Sequence, residues 1–245
     1  AKEVKAFAPD RIVLLPLYPQ FSTTTTASSF EDWHKSAGEV DLECMTQQIC
    51  CYPTEPGWVR AQAELLEGSL HDAQALGHSV RVLFSAHGLP KKIVDGKGDP
   101  YPDHVEQGAK AIVGALRKKG VALSDWLVSY QSRVGPLEWI GPSTEDEIRR
   151  AGKDGVTLVV LPIAFVSEHS ETLVELDIEY KNLAGTVHVP GYVRVPAVGT
   201  HPAFISGLAE LVTQTIDQDL QTCSQNPGIR ICNESAKGCA LRLSP

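Results

Sequence analysis

The stretch that decides the fold is Thr157-Leu158-Val159-Val160-Leu161-Pro162, followed at once by IAFVSEHSETLVELDIEY (163–180). The first six residues carry no charge and are rich in Val and Leu. Such a run, without polar alternation, reads as a strand covered on both faces. The following segment reads as a helix over 171–183. Three runs of the same buried type lie upstream, at 11–17, 80–85 and 126–131. Between and after them the pattern turns helical, at 57–76, 102–119, 143–151 and from 202 to about 222. Thr144 opens Thr-Glu-Asp-Glu, a capping-box pattern for the helix at 143–151. Strands alternating with helices predict an α/β fold with parallel sheets. Two βα halves of similar size fit this alternation, with a boundary at 121–125. That divides the chain into 1–120, 121–222 and a C-terminal extension over 223–245, where Cys, Asn, Gly, Ser and Lys replace the core pattern.

Composition narrows the function. The chain has 245 residues, 22 Lys plus Arg against 30 Asp plus Glu, and a formal net charge of −8. That acidic balance argues against a nucleic-acid partner, which demands basic patches. With 42% hydrophobic and 21% charged residues the mixture is that of an ordinary globular protein. No apolar run approaches the ~18 residues of a membrane span, and no secretory signal is present. The six cysteines are too sparse for a disulfide framework, so reduced thiols or metal ligands in the cytoplasm are the better reading. The single methionine is Met45, and the sequence opens Ala-Lys-Glu-Val in mid-helix, as if part of a longer chain preceded it.

In open parallel sheets ligands bind beyond the carboxyl ends of the strands. Here those ends carry Tyr18 and Phe21, His87, Trp139, and the cluster Glu168, His169 and Glu171. His87 suits a base or a metal ligand, because imidazole titrates near neutrality; capping the strand end is its plainer role. No serine or cysteine nucleophile elbow accompanies it, which disfavours acyl transfer. Glu171, Glu175 and Glu179 are spaced i, i+4, i+8, in a row along one α-helical face. A row facing solvent is an acidic amphipathic face. A row facing a cleft attracts a divalent cation or relays protons, and carboxylates with imidazole suit Fe²⁺, Zn²⁺ or Mn²⁺. Tyr18, Phe21, Trp139 and Phe165 offer stacking surfaces for a flat apolar ligand.

The strings LPLYPQFSTTTTASS (15–29), FSAHGLP (84–90), GDPYP (98–102), YQSRVGPLEWIGPSTED (130–146) and LPIAFVSEHSETLVELDIEY (161–180) closely resemble the ferrochelatases, in order, over residues 7–215. The resemblance implies an enzyme that inserts Fe²⁺, its substrate, into protoporphyrin IX. It implies two similar Rossmann-like, chelatase-type domains, each with a four-stranded parallel sheet flanked by helices, and a porphyrin cleft between them. The family's N-terminal strands and helical lip have no counterpart in this sequence, so the first domain is expected to be incomplete. Residue by residue, His87 matches the family's catalytic histidine, which takes pyrrole protons or meets the metal. Glu171 matches the carboxylate across the porphyrin, and these two are the implied metal contacts. Glu168, His169, Glu175 and Glu179 match an acidic path for protons or metal, set on a helix with a π-type turn. Tyr18 and Trp139 match cleft residues beside the macrocycle. Ser132 and Arg133 lie in a matching loop without an assigned role.

Part of the family holds a [2Fe–2S] cluster through a cysteine-bearing C-terminal extension and one cysteine of the body. Cys223, Cys232 and Cys239 are the matching tail residues here. Thr23 and Thr24 stand where the animal pattern has its body cysteine, so Cys44, Cys50 or Cys51 would supply the fourth thiolate. A coproporphyrin-using ferrochelatase, another tetrapyrrole chelatase and a porphyrin or haem carrier without turnover are the alternatives. An apolar substrate also suits peripheral contact with a membrane.

Overall fold

The computed structural model describes residues 1–133, 135–218, 220–226 and 228–243, so Pro227, Ser244 and Pro245 of the expected extension lie outside it. In chain order the elements are α1 (Lys2–Phe7), β1 (Arg11–Leu14), α2 (Thr26–Gly38), β2 (Met45–Cys51), α3 (Pro56–Gln74), β3 (Val80–His87), α4 (Lys91–Lys97) and α5 (Tyr101–Lys118). There follow β4 (Trp126–Gln131), α6 (Thr144–Asp154), β5 (Thr157–Pro162), a π-helix (Glu171–Tyr180), α7 (Lys181–Thr186), β6 (Tyr192–Arg194), α8 (Pro202–Asp217), β7 (Thr222–Ser224) and α9 (Ala240–Leu243).

Two parallel sheets result, flanked by helices as expected. One has three strands in the order β1-β2-β7, the other four in the order β4-β3-β5-β6. The four-stranded sheet is covered on both faces. Val82, Phe84, Val159 and Leu161 share a core with Trp58, Leu66, Val105, Ile112 and Leu116 of α3 and α5. Leu83, Leu158 and Val160 pack the other way, against Ile148 of α6, Leu176 and Tyr180 of the π-helix, and Ala184 of α7. Successive side chains of a strand point to opposite faces, so a strand buried twice must be apolar throughout. That is why these runs are legible as sequence.

The expected boundary falls within one sheet. A division at 120/121 falls between β3 and β4, which are hydrogen-bonded neighbours from Val82↔Trp126 to His87↔Gln131. His87 therefore belongs to the same sheet as the acidic helix, and sheet membership divides the chain between β2 and β3. The tail also returns to the first sheet, where β7 pairs with β2. The helix expected to about 222 ends at Asp217 to allow this. The cap of α6 is Ser143, whose hydroxyl accepts from Asp146 N at 3.1 Å. Thr144 is fully buried, with its hydroxyl against those of Ser129 (2.9 Å) and Ser85 (3.1 Å).

Candidate active site

β3, β4 and β5 end together: His87 pairs with Gln131, and Ser85 with Pro162. Beyond these ends lies a cleft of about 760 Å³. One wall is the loop after β1, with Leu17, Tyr18, Gln20, Ser22, Thr24 and Thr25. The opposite wall is Ala164, Phe165, Val166 and His169, from the segment after β5. His87, Leu89, Tyr101 and Glu171 also line it. The lining surface is mainly apolar, with polar groups contributed from several segments, the usual character of a small-molecule site.

His87 Nδ1 lies 2.7 Å from Glu171 Oε2. The hydrogen bond and charge of Glu171 raise the histidine above its ordinary range, against the lowering effect of burial. The same contact holds the Glu171 carboxyl below the usual carboxylate range, although burial opposes it. With Nδ1 committed to Glu171, Nε2 is the nitrogen left for the cleft. Chain geometry fixes His87 tightly. A Cβ on Gly88 would stand 2.9 Å from Gln131 O and 3.1 Å from Arg133 Cγ, so glycine lets the chain after His87 pass this close to the end of β4.

A polar network continues behind Glu171. Ser132 Oγ donates to Glu171 Oε2 at 3.0 Å and also reaches Glu175 Oε2. Ser132 N donates to Glu175 Oε1 at 2.7 Å, Gln131 Nε2 to Glu175 Oε2 at 3.0 Å, and Tyr180 OH to Glu175 Oε1 at 2.8 Å. Ser132 adopts a left-handed backbone, φ 58°, rare outside glycine and frequent at functional sites. The π-helix alters the acidic row. Its i→i+5 bonding takes nearly one more residue per turn than the 3.6 of an α-helix. From Glu171, the residue that returns to the same face after two turns is Tyr180, and Glu179 is rotated into solvent.

The expected residues therefore separate. His87, Glu171, His169 and Tyr18 line the cleft, and Glu175 stands directly behind it. His169 Nδ1 accepts from Glu171 N at 3.1 Å, and its ring meets Phe165 edge-on at 4.5 Å. Glu168 turns away from its neighbour: it pairs with Arg194 at 2.6 Å and accepts from Ala197 N at 2.9 Å. Arg194 also holds Asp177, at 2.7 Å. Trp139 packs against Gly88, beside the cleft and not among its lining residues. Gln131, Tyr101 and Tyr180 are site residues the sequence reading missed. Tyr101 is buried in the lining, with its hydroxyl beside the backbone of His87.

The cysteines regroup as well. Cys50 and Cys51 are adjacent on β2, where an ideal strand would send them to opposite faces. The register against β7 slips between Ile49 and Cys51, and the two sulfurs come 3.3 Å apart. The thiols of Cys239 and Cys51 hydrogen-bond the sulfur of Cys232, with His104 Nε2 at 3.3 Å. These bonds hold Cys232 well below the ordinary thiol range, and Cys51 correspondingly above it. Cys223 is buried on β7 opposite Ile49, near the carbonyl of Leu220, and burial and the neighbouring Cys50 raise its thiol pKa; among the described residues its sulfur makes no hydrogen bond to the other four. Among the described residues, no three of His, Cys, Asp or Glu are arranged to hold a metal ion as they stand.

A parallel sheet with a polar pair at its carboxyl edge and an apolar cleft above it defines a chelatase-type α/β protein. Two solved structures share the fold. SirB from Bacillus subtilis with Fe3+ matches at TM-score 0.57 and 16% identity, over 87% of this chain and 75% of that one. The sirohydrochlorin chelatase SirB from Bacillus subtilis subspecies spizizenii in complex with cobalt matches at TM-score 0.55 and 12% identity, over 87% and 73%. The chain belongs to the ferrochelatase family, whose model matches residues 1–216. It is 51% identical over 221 residues to a ferrochelatase of Phenylobacterium zucineum, covering 89% of this chain and 61% of the relative. It is 48% identical over 242 residues to that of Caulobacter vibrioides, covering 99% and 67%. The chain thus spans about three fifths to two thirds of the length of these relatives.

Proposed function

We propose that the protein inserts Fe²⁺ into protoporphyrin IX to make protohaem. The observation that carries this is the His87–Glu171 pair, 2.7 Å apart, in the lining of an apolar cleft large enough for a flat ring. A porphyrin holds two N–H protons inside its ring, and the metal must displace both. A cleft that bends the macrocycle exposes the nitrogen lone pairs, and a base at the cleft floor takes the protons. In this reading His87 Nε2 is that base. Glu171 orients the imidazole, stabilises its charged form and meets the arriving iron with it. Ser132, Glu175 and Tyr180 carry the hydrogen-bonded route onward. No covalent intermediate is needed. The apolar substrate and the exposed rim residues Leu17 and Tyr18 support loading from a membrane surface on the cytoplasmic side. Among the described residues no helix is long and apolar enough to cross a membrane.

The test is anaerobic incubation of the purified protein with Fe²⁺ and protoporphyrin IX, following haem by absorbance and porphyrin by fluorescence. Haem formation supports the reading. Tight porphyrin binding without haem formation would make the protein a carrier. Faster turnover of coproporphyrin would reassign the substrate within the family.

For the iron–sulfur cluster the residues fit in kind and number, with a changed membership. Cys50, Cys51, Cys232 and Cys239 are four thiols brought together by the β2 bulge and the tail, and four thiolates are what such a cluster needs. In this reading Cys50 and Cys51 join Cys232 and Cys239, and Cys223 is a neighbour of the set and not a ligand. When bound, a cluster would supply a cross-link between tail and body. The protein with Cys223→Ser is expected to keep the visible absorbance, iron and acid-labile sulfide of the parent, and that with Cys51→Ser to lose all three. The opposite result would restore Cys223 to the set.

A further inference from the structure

The wall of the cleft at 20–25 is held from behind at three places. Asp99 is buried and accepts from Ser22 Oγ (2.9 Å), Thr23 Oγ1 (2.6 Å), Thr23 N (2.7 Å) and, through its other oxygen, Tyr101 N (2.9 Å). The tail leans on the same loop: Gly238 N donates to Gly98 O at 3.1 Å, and a Cβ on Gly238 would stand 2.9 Å from Thr23 Cγ2. The third support is His104 on α5, fully buried. Its Nδ1 accepts from Phe21 N at 3.2 Å. A neutral imidazole that accepts at Nδ1 carries its hydrogen on Nε2. That hydrogen points to Cys232 Sγ, 3.3 Å away. One buried ring thus joins the backbone of the cleft wall, between Gln20 and Ser22, to the thiol group of the tail. It holds both neighbours only in one tautomer and one orientation.

Taking the cleft as the porphyrin site proposed above, we infer that His104 is a positioning residue that couples the Cys232 sulfur to the cleft wall, so that a change at Cys232 alters porphyrin binding while the His87–Glu171 chemistry is untouched. The ring touches no reacting atom; it acts through Phe21 and its lining neighbours Gln20 and Ser22. Coupling through a shared element is measurable as non-additivity.

The experiment exploits the two ring nitrogens separately. An Asn amide reaches about as far as Nδ1 and a Gln amide about as far as Nε2. His104→Asn therefore keeps an acceptor for Phe21 and loses the link to Cys232. His104→Gln keeps the link and loses the acceptor. Protoporphyrin IX dissociation constants are read from fluorescence quenching, with kcat and thermal midpoint beside them. His104→Gln is expected to weaken porphyrin binding about tenfold, the equivalent of one hydrogen bond, with kcat unchanged on the folded fraction. Cys232→Ala is expected to weaken binding severalfold in the natural background and not at all with His104→Asn. Equal effects of Cys232→Ala in both backgrounds, or a natural affinity in His104→Gln, overturn the coupling. A fall of kcat with the thermal midpoint at constant affinity would reduce His104 to a structural residue. If the unmodified protein binds no protoporphyrin, it is the functional reading above that fails, not the coupling.

Discussion

Strand β3 carries a basic side chain bound by carboxylates near each end, and the two ends differ in kind. At the entry, Arg81 bonds Asp125 through Nε at 2.9 and 3.0 Å and Asp154 through Nη1 at 2.8 Å. Its side chain is only 8% exposed. Burial alone would lower its pKa, but the two aspartates raise it, so the charge is permanent. The triad ties β3 to the start of β4 and the end of α6. At the exit, His87 meets Glu171 with 42% of its side chain exposed, in the lining of a cleft. An imidazole can lose its proton in the physiological range and a guanidinium cannot. One end is a clamp and the other, in the proposed function, a proton-transfer site, and the difference lies in which basic residue the strand carries and what lies in front of it.

Removing each cation is the most forceful way to break this contrast. His87→Ala is expected to lower iron insertion by two to four orders of magnitude, the usual share of a general base, while porphyrin affinity and the thermal midpoint stay near the parent. Arg81→Met should do the reverse. Loss of the clamp is expected to cost about 2–3 kcal/mol of stability, below the range for fully buried pairs because Asp125 and Asp154 are half exposed and can rehydrate. Turnover per folded molecule should be unchanged. Urea denaturation beside a stopped haem assay separates the two. A stable but inactive Arg81→Met, or an unfolded His87→Ala, would erase the distinction.

Glu171→Gln probes the exit end alone. Glu171 raises the His87 pKa and burial lowers it. A base must be neutral to accept a proton, so insertion should rise with pH through that raised pKa. Removing the carboxylate takes away the largest raising influence and leaves burial opposed only by the Glu175 charge, so the acidic limb of the rate profile should move to lower pH. The plateau is expected to fall about a hundredfold as orientation and charge stabilisation are lost. A plateau loss with an unmoved acidic limb would mean that another group titrates.

Much of this architecture is legible in the sequence, for a physical reason. β3 and β5 lie in the interior of a covered sheet, and β4 at its edge still packs Val128 and Leu127 against the two cores, so all three are mostly apolar and stand out. β2 does not, because it carries Gln47 and Gln48. Gln47 is fully buried and its amide donates to Thr215 O and Gln218 O, at 2.8 and 2.6 Å. Those partners come from the far end of α8, which no local pattern reveals. β6 and β7 are three residues each, too short to show a period. At the site, proximity along the chain misleads. Glu168 is beside His169 in sequence yet faces Arg194. Tyr101 reads as the start of a helix, and its place in the cleft lining exists only in three dimensions.

The acidic row shows how a change of helix period redirects side chains, and its test has the smallest expected effect. In an α-helix Glu171, Glu175 and Glu179 would share one face, and each could pass a proton to the next. In the π-helix Glu175 receives donors from Ser132, Gln131 and Tyr180, whereas Glu179 is exposed. Tyr180 closes the row instead. Burial and the Glu175 charge both raise its phenol pKa, so it stays protonated and donates. Glu175→Gln turns an acceptor of several hydrogen bonds into a neutral amide, one of whose atoms can only donate. It is expected to slow insertion about tenfold, a loss of one to two charge-assisted bonds. Glu179→Gln is expected to leave the rate within error of the parent. Equal losses in the two variants would show that the helix relaxes to the α period when porphyrin and iron are bound, and that the row operates as three carboxylates after all.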